Sequence, residues 1–150
     1  MKYVESNLMP NEDVLLSAKI HWIVYLKPVV LILLGILFVL FMDGPLDMLF
    51  GFALPGLIYC IFTWISVKST ELVITSKRVI AKFGLIKRQT MELDHSKIES
   101  LMVNQGIIGR IVNSGTIIIN GTGGNATPIP SISDPLGFRK EYYKIIENFK

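Results

Sequence analysis

Two long apolar runs fill the first half of the chain, and short alternating stretches fill the second. Residues 23–42 read IVYLKPVVLILLGILFVLFM, with Lys27 the one charge, and residues 48–67 read MLFGFALPGLIYCIFTWISV with none. A helix of that length, rising ~1.5 Å per residue, crosses the ~30 Å hydrocarbon core of a bilayer. Lys27 stands near the start of its run, where the aliphatic stem lets the ammonium group reach the headgroups. Pro55 and Gly56 fall in the middle of the second run and predict a kink there. The residues between the runs, Asp43 to Asp47, are so few that the two helices must be antiparallel neighbours. The pattern predicts a transmembrane helical hairpin over residues 22–67, with helices at about 23–42 and 48–67. The 83 residues that follow are too few to cover two such helices on all sides in a water-soluble protein. No alanine lies between Ala18 and Ala53, so the first run lacks the small-x-small cleavage site of a secretory signal and is expected to remain.

Beyond residue 67 the period changes. Stretches at 71–75, 79–83, 86–93, 98–105, 116–120 and 127–132 are rich in β-branched residues and separated by turn formers at 76–78, Gly84 and 121–125. This is the pattern of consecutive antiparallel strands joined by tight turns. Asp134 followed by Pro135 is an N-cap and first-turn pair. Leu136, Tyr142, Ile145, Ile146 and Phe149 then recur at roughly helical spacing and predict an amphipathic C-terminal helix. Its apolar stripe requires burial against the strands, because a short isolated helix is marginal in water. The expected fold class is a two-helix transmembrane hairpin plus an α+β domain over residues 68–150, preceded by an N-terminal segment, residues 1–21.

Charge assigns an orientation to this plan. Hydrophobic residues make up 51% of the chain and charged ones 18%, below the ~25% of an average soluble protein. The loop between the runs carries only acidic charge, whereas Lys19 and Lys27 precede the first run and Lys68, Lys77, Arg78 and Lys82 follow the second. The positive-inside rule places both termini in the cytoplasm, and Trp22 and Trp64 then fall at the same interface, as an aromatic belt requires. A multi-pass protein of the cytoplasmic membrane is expected. Cys60 is the single cysteine and lies inside an apolar run, so no disulfide framework or cysteine-based metal site forms within one chain.

The order of several motifs in the second half resembles the membrane-anchored bacterial pleckstrin-homology (PH) domain proteins. They are Thr75-Ser76-Lys77-Arg78-Val79-Ile80, Gly84-Leu85-Ile86, Gln105-Gly106-Ile107-Ile108-Gly109-Arg110 and Gly115-Thr116-Ile117. Leu8-Met9-Pro10-Asn11-Glu12 through His21-Trp22 is similar to the segment that precedes a helical hairpin in such proteins. The resemblance implies a PH-like, partly open barrel of two packed sheets with a C-terminal helix closing one end. Six strands follow the hairpin, one short of the usual seven; residues 14–19 supply the missing strand from ahead of the hairpin, or the domain lacks it.

The residues with chemical potential are few. Asp94-His95-Ser96 has the residue types of a hydrolase triad, but neighbours in an extended chain point to alternate faces, so a polar turn is expected. Gly121-Thr122-Gly123-Gly124-Asn125 lacks both a following helix start and a P-loop lysine and reads as a hairpin turn. Asn120-Gly121-Thr122 and Asn125-Ala126-Thr127 fit the glycosylation sequon and are silent in a cytoplasmic domain. His21 and His95 have no second ligand at metal spacing. No catalytic residue, metal or cofactor is expected, and the excess of positive charge has a topological explanation that leaves nucleic acid a weak candidate. Lys77, Arg78, Lys82, Lys87 and Arg88 form the group expected to meet anionic lipid headgroups or an acidic partner, if they are not simply a solvated face. Ile107 and Ile108, framed by Gly106 and Gly109, either plug the open end of the barrel or dip into lipid, the plug being favoured. Two functions stand against each other: a non-catalytic scaffold that binds a protein partner or oligomerises at the bilayer, and a lipid-headgroup sensor.

Overall fold

The computed structural model describes residues 2–41, 47–84, 89–124 and 126–148. In chain order they form helix α1 (Lys2–Ser6), strand β1 (Val14–Ser17), a 3-10 turn (Trp22–Tyr25) running into helix α2 (Leu26–Phe41), and helix α3 (Asp47–Ser69). Strands β2 (Glu71–Thr75), β3 (Arg78–Phe83) and β4 (Gln89–Asp94) follow, then a 3-10 turn (His95–Lys97) and β5 (Ile98–Asn104). The short helix α4 (Ile107–Ile111), strands β6 (Ser114–Gly121) and β7 (Ala126–Ser133) and helix α5 (Pro135–Asn148) complete the chain. Two compact units result, one of Met1–His21 with Ser69–Lys150 and one of Trp22–Lys68.

The apolar unit holds the two helices. The α-helix proper begins at Leu26 rather than Ile23, because Pro28 has no N–H to give and is tolerated only in the first turn. Trp22–Phe41 is 20 residues long with mean hydropathy 2.7, enough to cross a bilayer, while the described apolar part of the second helix, Ala53–Ser69, is shorter. Among the described residues there is thus one candidate span, not the two expected. α3 stays helical through Pro55. Gly56 is buried, and a Cβ there would run into the Ile32 side chain, so the missing side chain is what lets α3 close on α2. The expected loop at 43–47 lies outside the described residues up to Asp47, which opens α3.

The other unit is two packed antiparallel sheets, ordered β1-β2-β3-β4 and β5-β6-β7, with α5 against them. β1 pairs with β2 in the register Val14↔Thr75 and Ser17↔Val73, so the strand ahead of the apolar helices sits beside the first strand after them. The chain then crosses to the second sheet. The Ala18 N–H donates to the Leu72 carbonyl (2.9 Å), Ile20 bridges Ile132 of β7, and the His21 N–H donates to the Ser131 carbonyl (2.7 Å). One short segment thereby stitches the sheets along one side and covers two strand edges.

β2 is buried on both faces, which is why ELVIT reads as a nearly continuous apolar run instead of alternating. Leu72 and Ile74 point inward to Ile117, Ile119, Ile129 and Phe138, while Val73 and Ile80 point outward and are covered by Val4 and Leu8 of the N-terminal arm. The last helix corrects one expectation. Its buried stripe runs through Pro135, Phe138 and Tyr142 with Ile146 partly buried, whereas Leu136 is 48% exposed. Asp134 caps the helix through the Gly137 N–H (3.2 Å), and Pro135 meets Gly115 of β6, which fixes the rotational phase one residue away from the reading on Leu136. Phe149 lies outside the described residues.

Candidate functional site

Arg78 opens β3 inside an apolar stretch, and its guanidinium lies on the outer face of the sheet beneath the N-terminal arm: only 7% of the residue is exposed. Nε and Nη2 donate to the two carboxylate oxygens of Glu12 (2.9 and 3.0 Å), Nη1 donates to Glu92 of β4, and Nη2 also reaches the Asn7 carbonyl (3.0 Å). Glu12 additionally accepts from the Thr75 hydroxyl (2.7 Å) and from the Met9 N–H (2.7 Å). Burial alone would raise the Glu12 carboxyl; hydrogen bonds from Arg78, Met9 and Thr75 outweigh it and hold the group down at about 2. The hydrogen bond to Glu12 raises Arg78 in turn, against its own burial. A planar, bidentate pair of this kind, with further hydrogen bonds on both partners, can be buried where a lone charge cannot. Its job is to clamp the N-terminal arm onto the four-stranded sheet.

That clamp removes Arg78 from the basic group, and the register separates two others. Lys77 lies in the β2–β3 turn with its ammonium on the Pro10 carbonyl (2.8 Å), whereas Lys82 pairs across from Glu71 at the opposite end of β3. Five residues of strand are roughly 17 Å. Lys87 and Arg88 lie outside the described residues. Of the three described positions, Arg78 is consumed internally, and Lys77 and Lys82 stand at opposite ends of β3. Glu12 and Glu92 were not recognised in the sequence as functional. The signal that points to them is Arg78 itself, a cation inside ITSKRVI that burial obliges to find a carboxylate.

Gln105, Gly106, Ile107, Ile108, Gly109 and Arg110 build the β5–β6 connection. The Gln105 amide spans the loop, donating to the Ser114 carbonyl (3.1 Å) and more weakly to the Gly109 carbonyl (3.4 Å). A Cβ on Gly109 would strike the Ser114 carbonyl oxygen, and one on Gly115 would strike the Gln105 side chain, so both glycines make room for the brace. Ile107 and Ile108 do not plug the barrel, contrary to expectation. They are 82% and 64% exposed, and Ile111, a turn further on, is 79% exposed. The core of the two sheets is already closed by α5 and the β-strands' own side chains, leaving α4 to face outward.

His95 Nε2 lies 2.9 Å from the Thr75 carbonyl and so donates to it, the ring packs near Tyr142 with centroids 6.0 Å apart, and among the described residues no hydroxyl nucleophile is in hydrogen-bonded contact with it. Burial, with the neighbouring Tyr143, pushes the Tyr142 phenol up to about 12. In the glycine turn the Thr122 N–H is taken by the Lys97 carbonyl (2.8 Å) and the Gly124 N–H by the Gly121 carbonyl (3.3 Å), so neither amide is free to cradle a phosphate. A cavity of about 450 Å³ lies between this turn and Met91 and Leu93 of β4, with Ala126 and Thr127 on its far wall.

The family model described as the bacterial PH domain matches residues 15–144, which include most of β1, both apolar helices and the first ten residues of α5. A solved structure similar to the chain is that of a DUF1696-family protein with a pleckstrin-homology domain from Shewanella loihica PV-4. It shares 10% sequence identity over 96% of this chain and 90% of that one, at a TM-score of 0.47. No protein of curated function matches.

Proposed function

Since the chain belongs to the bacterial PH domain family, we propose that it is a membrane-anchored, non-catalytic PH-like module. Its apolar helices form a transmembrane hairpin, and its domain binds a protein partner or a second copy of itself at the cytoplasmic face. The observation that carries this reading is the pairing of β1 with β2 across the apolar insert. Strands hydrogen-bonded in one sheet lie on one side of a bilayer, so an insert between them crosses an even number of times. Trp22–Phe41 has the length and apolarity for one crossing, and the 23 residues of α3, at ~1.5 Å each, have the reach for the return. Leu33, Leu34, Leu37, Phe38, Leu57 and Ile61 are all about half exposed, a surface suited to lipid and costly in water. The basic residues flanking the insert favour the cytoplasmic side. A scaffold fits better than a headgroup sensor because Arg78 is spent on Glu12 and Glu92, and Lys77 on Pro10 at the far end of the sheet from Lys82.

Cysteine labelling in intact cells tests the topology. In a Cys60→Ala background, single cysteines at Ser6 and Ser131 should stay protected from an impermeant maleimide and one at Gly44 should react. Reaction at Ser131 from outside, or of Ser6 and Ser131 in opposite senses, would sink the reading.

A further inference from the structure

We propose that α4 is a membrane-interface anchor: Ile107, Ile108 and Ile111 dip into the boundary between headgroups and acyl chains, with Arg110 at the phosphates. This rests on the reading of the apolar insert as membrane-spanning. Three isoleucines within five residues are each at least 64% exposed, although the domain has a well-filled core elsewhere. They are displayed by a built device. The Gln105 brace, together with Gly109 and Gly115, holds the helical turn closed against β6 so that its apolar face points away from the sheet.

The register supplies the occupant. Ile20 pairs with Ile132, and Ile132 pairs with Gly115, one residue into β6. Two strand spacings, ~10 Å, therefore separate Ile20 from the start of β6, which α4 directly precedes. Two residues after Ile20 the chain passes into the apolar helix at Trp22. α4 thus precedes the strand end that lies nearest to the point where the chain leaves the domain for the apolar helix. Leu136, 48% exposed in the first turn of α5, belongs to the same end, because α5 follows Ser133, the partner of Ser114. Exposed Lys140 lies one turn along on the Leu136 face, and exposed Arg110 is within α4. Apolar side chains interleaved with snorkelling cations are the chemistry of an interfacial segment. A protein partner or a second copy would require no such proximity to the point where the chain enters the bilayer.

The test uses the full chain with Cys60→Ala, reconstituted in vesicles of phosphatidylcholine and phosphatidylglycerol. Single cysteines at Ile108, Ile111, Thr122 and Leu33 carry an environment-sensitive fluorophore, and lipids carry nitroxides at the headgroup or deep in the acyl chain. Labels at Ile108 and Ile111 should be blue-shifted and quenched chiefly by the headgroup nitroxide, the Thr122 label should resemble one in water, and the Leu33 label should be quenched chiefly by the deep nitroxide. Deep quenching at Leu33 with water-like emission at both Ile108 and Ile111 overturns the anchor and leaves the spanning helix standing. Blue-shifted emission at Ile108 and Ile111 without lipid quenching means a protein covers the patch, and also overturns it. No lipid quenching at Leu33 removes the membrane reading and the anchor together.

Discussion

Replacing Arg78 by Met removes the one group that satisfies Glu12, Glu92 and the Asn7 carbonyl at once. Breaking a buried ion pair from one side costs about 3–5 kcal/mol, because the remaining charge stays buried without its partner. Here Glu12 keeps the Met9 N–H and the Thr75 hydroxyl, and Glu92 is exposed enough to turn to water, so the low end applies, about 3 kcal/mol. The loss should fall on the N-terminal arm and the edge of the four-stranded sheet, since Glu12 precedes β1 and Arg78 opens β3. Amide hydrogen exchange of the full chain in detergent micelles, read on the peptide covering residues 71–83, reports the opening. At 1.4 kcal/mol per tenfold, exchange there should accelerate by about a hundredfold. The double variant Glu12→Leu, Arg78→Met leaves no unpaired charge and should cost clearly less than the sum of the two single changes, with a coupling of about 2 kcal/mol. An acceleration of less than tenfold in Arg78→Met, or strict additivity in the double variant, would refute the clamp.

The same pair fixes an acid response. Glu12 is lowered from 4.5 to about 2, so its contribution is complete above pH 4.5 and is lost as pH falls through about 2; far-ultraviolet circular dichroism should show a loss in that window that Glu12→Gln lacks, and parallel curves would contradict this. Tyr142 is the opposite case: its phenol is raised to about 12, so neutral burial stabilises the fold below pH 10 and the contribution disappears as pH climbs through 12, a dependence that Tyr142→Phe should abolish in alkaline melts. A fragment of residues 69–150 lacks β1, Glu12 and the cover over Val73 and Ile80, and should aggregate on expression; fusing residues 1–21 ahead of it through a flexible linker should restore a soluble β-rich domain, and equal solubility of both would show the arm to be dispensable. Gln at Lys77, Lys82, Lys87 and Arg88 should leave the full chain in the membrane fraction and its vesicle association indifferent to headgroup, whereas headgroup-selective binding that survives high salt and vanishes with these changes would favour a sensor.

What the sequence determined by itself is what local periodicity carries. Two long apolar runs, the switch to short β-branched stretches, and Asp134-Pro135 before a helix each depend on neighbours within a few residues, and α2, α3, the strands and the start of α5 stand close to where those patterns put them. The family resemblance rested on the same kind of signal, turn glycines in a fixed order, and the structure gives two of them a cause: Gly109 and Gly115 make room for the Gln105 brace. What only the tertiary structure decided is non-local. Glu12 and Arg78 are 66 positions apart, and nothing within either segment says that the cation will be clamped rather than offered to a lipid. The β1–β2 pairing spans the whole apolar insert, and a strand of four residues has too few alternations to announce its partner. Leu136 stands at the surface and Phe138 in the core because a helix's rotational phase is set by what its first turn packs on, here Pro135 on Gly115. Ile107 and Ile108 stand outward for a similar reason: an apolar side chain states that it prefers to leave water, but the sheet and brace beside it decide whether the core receives it.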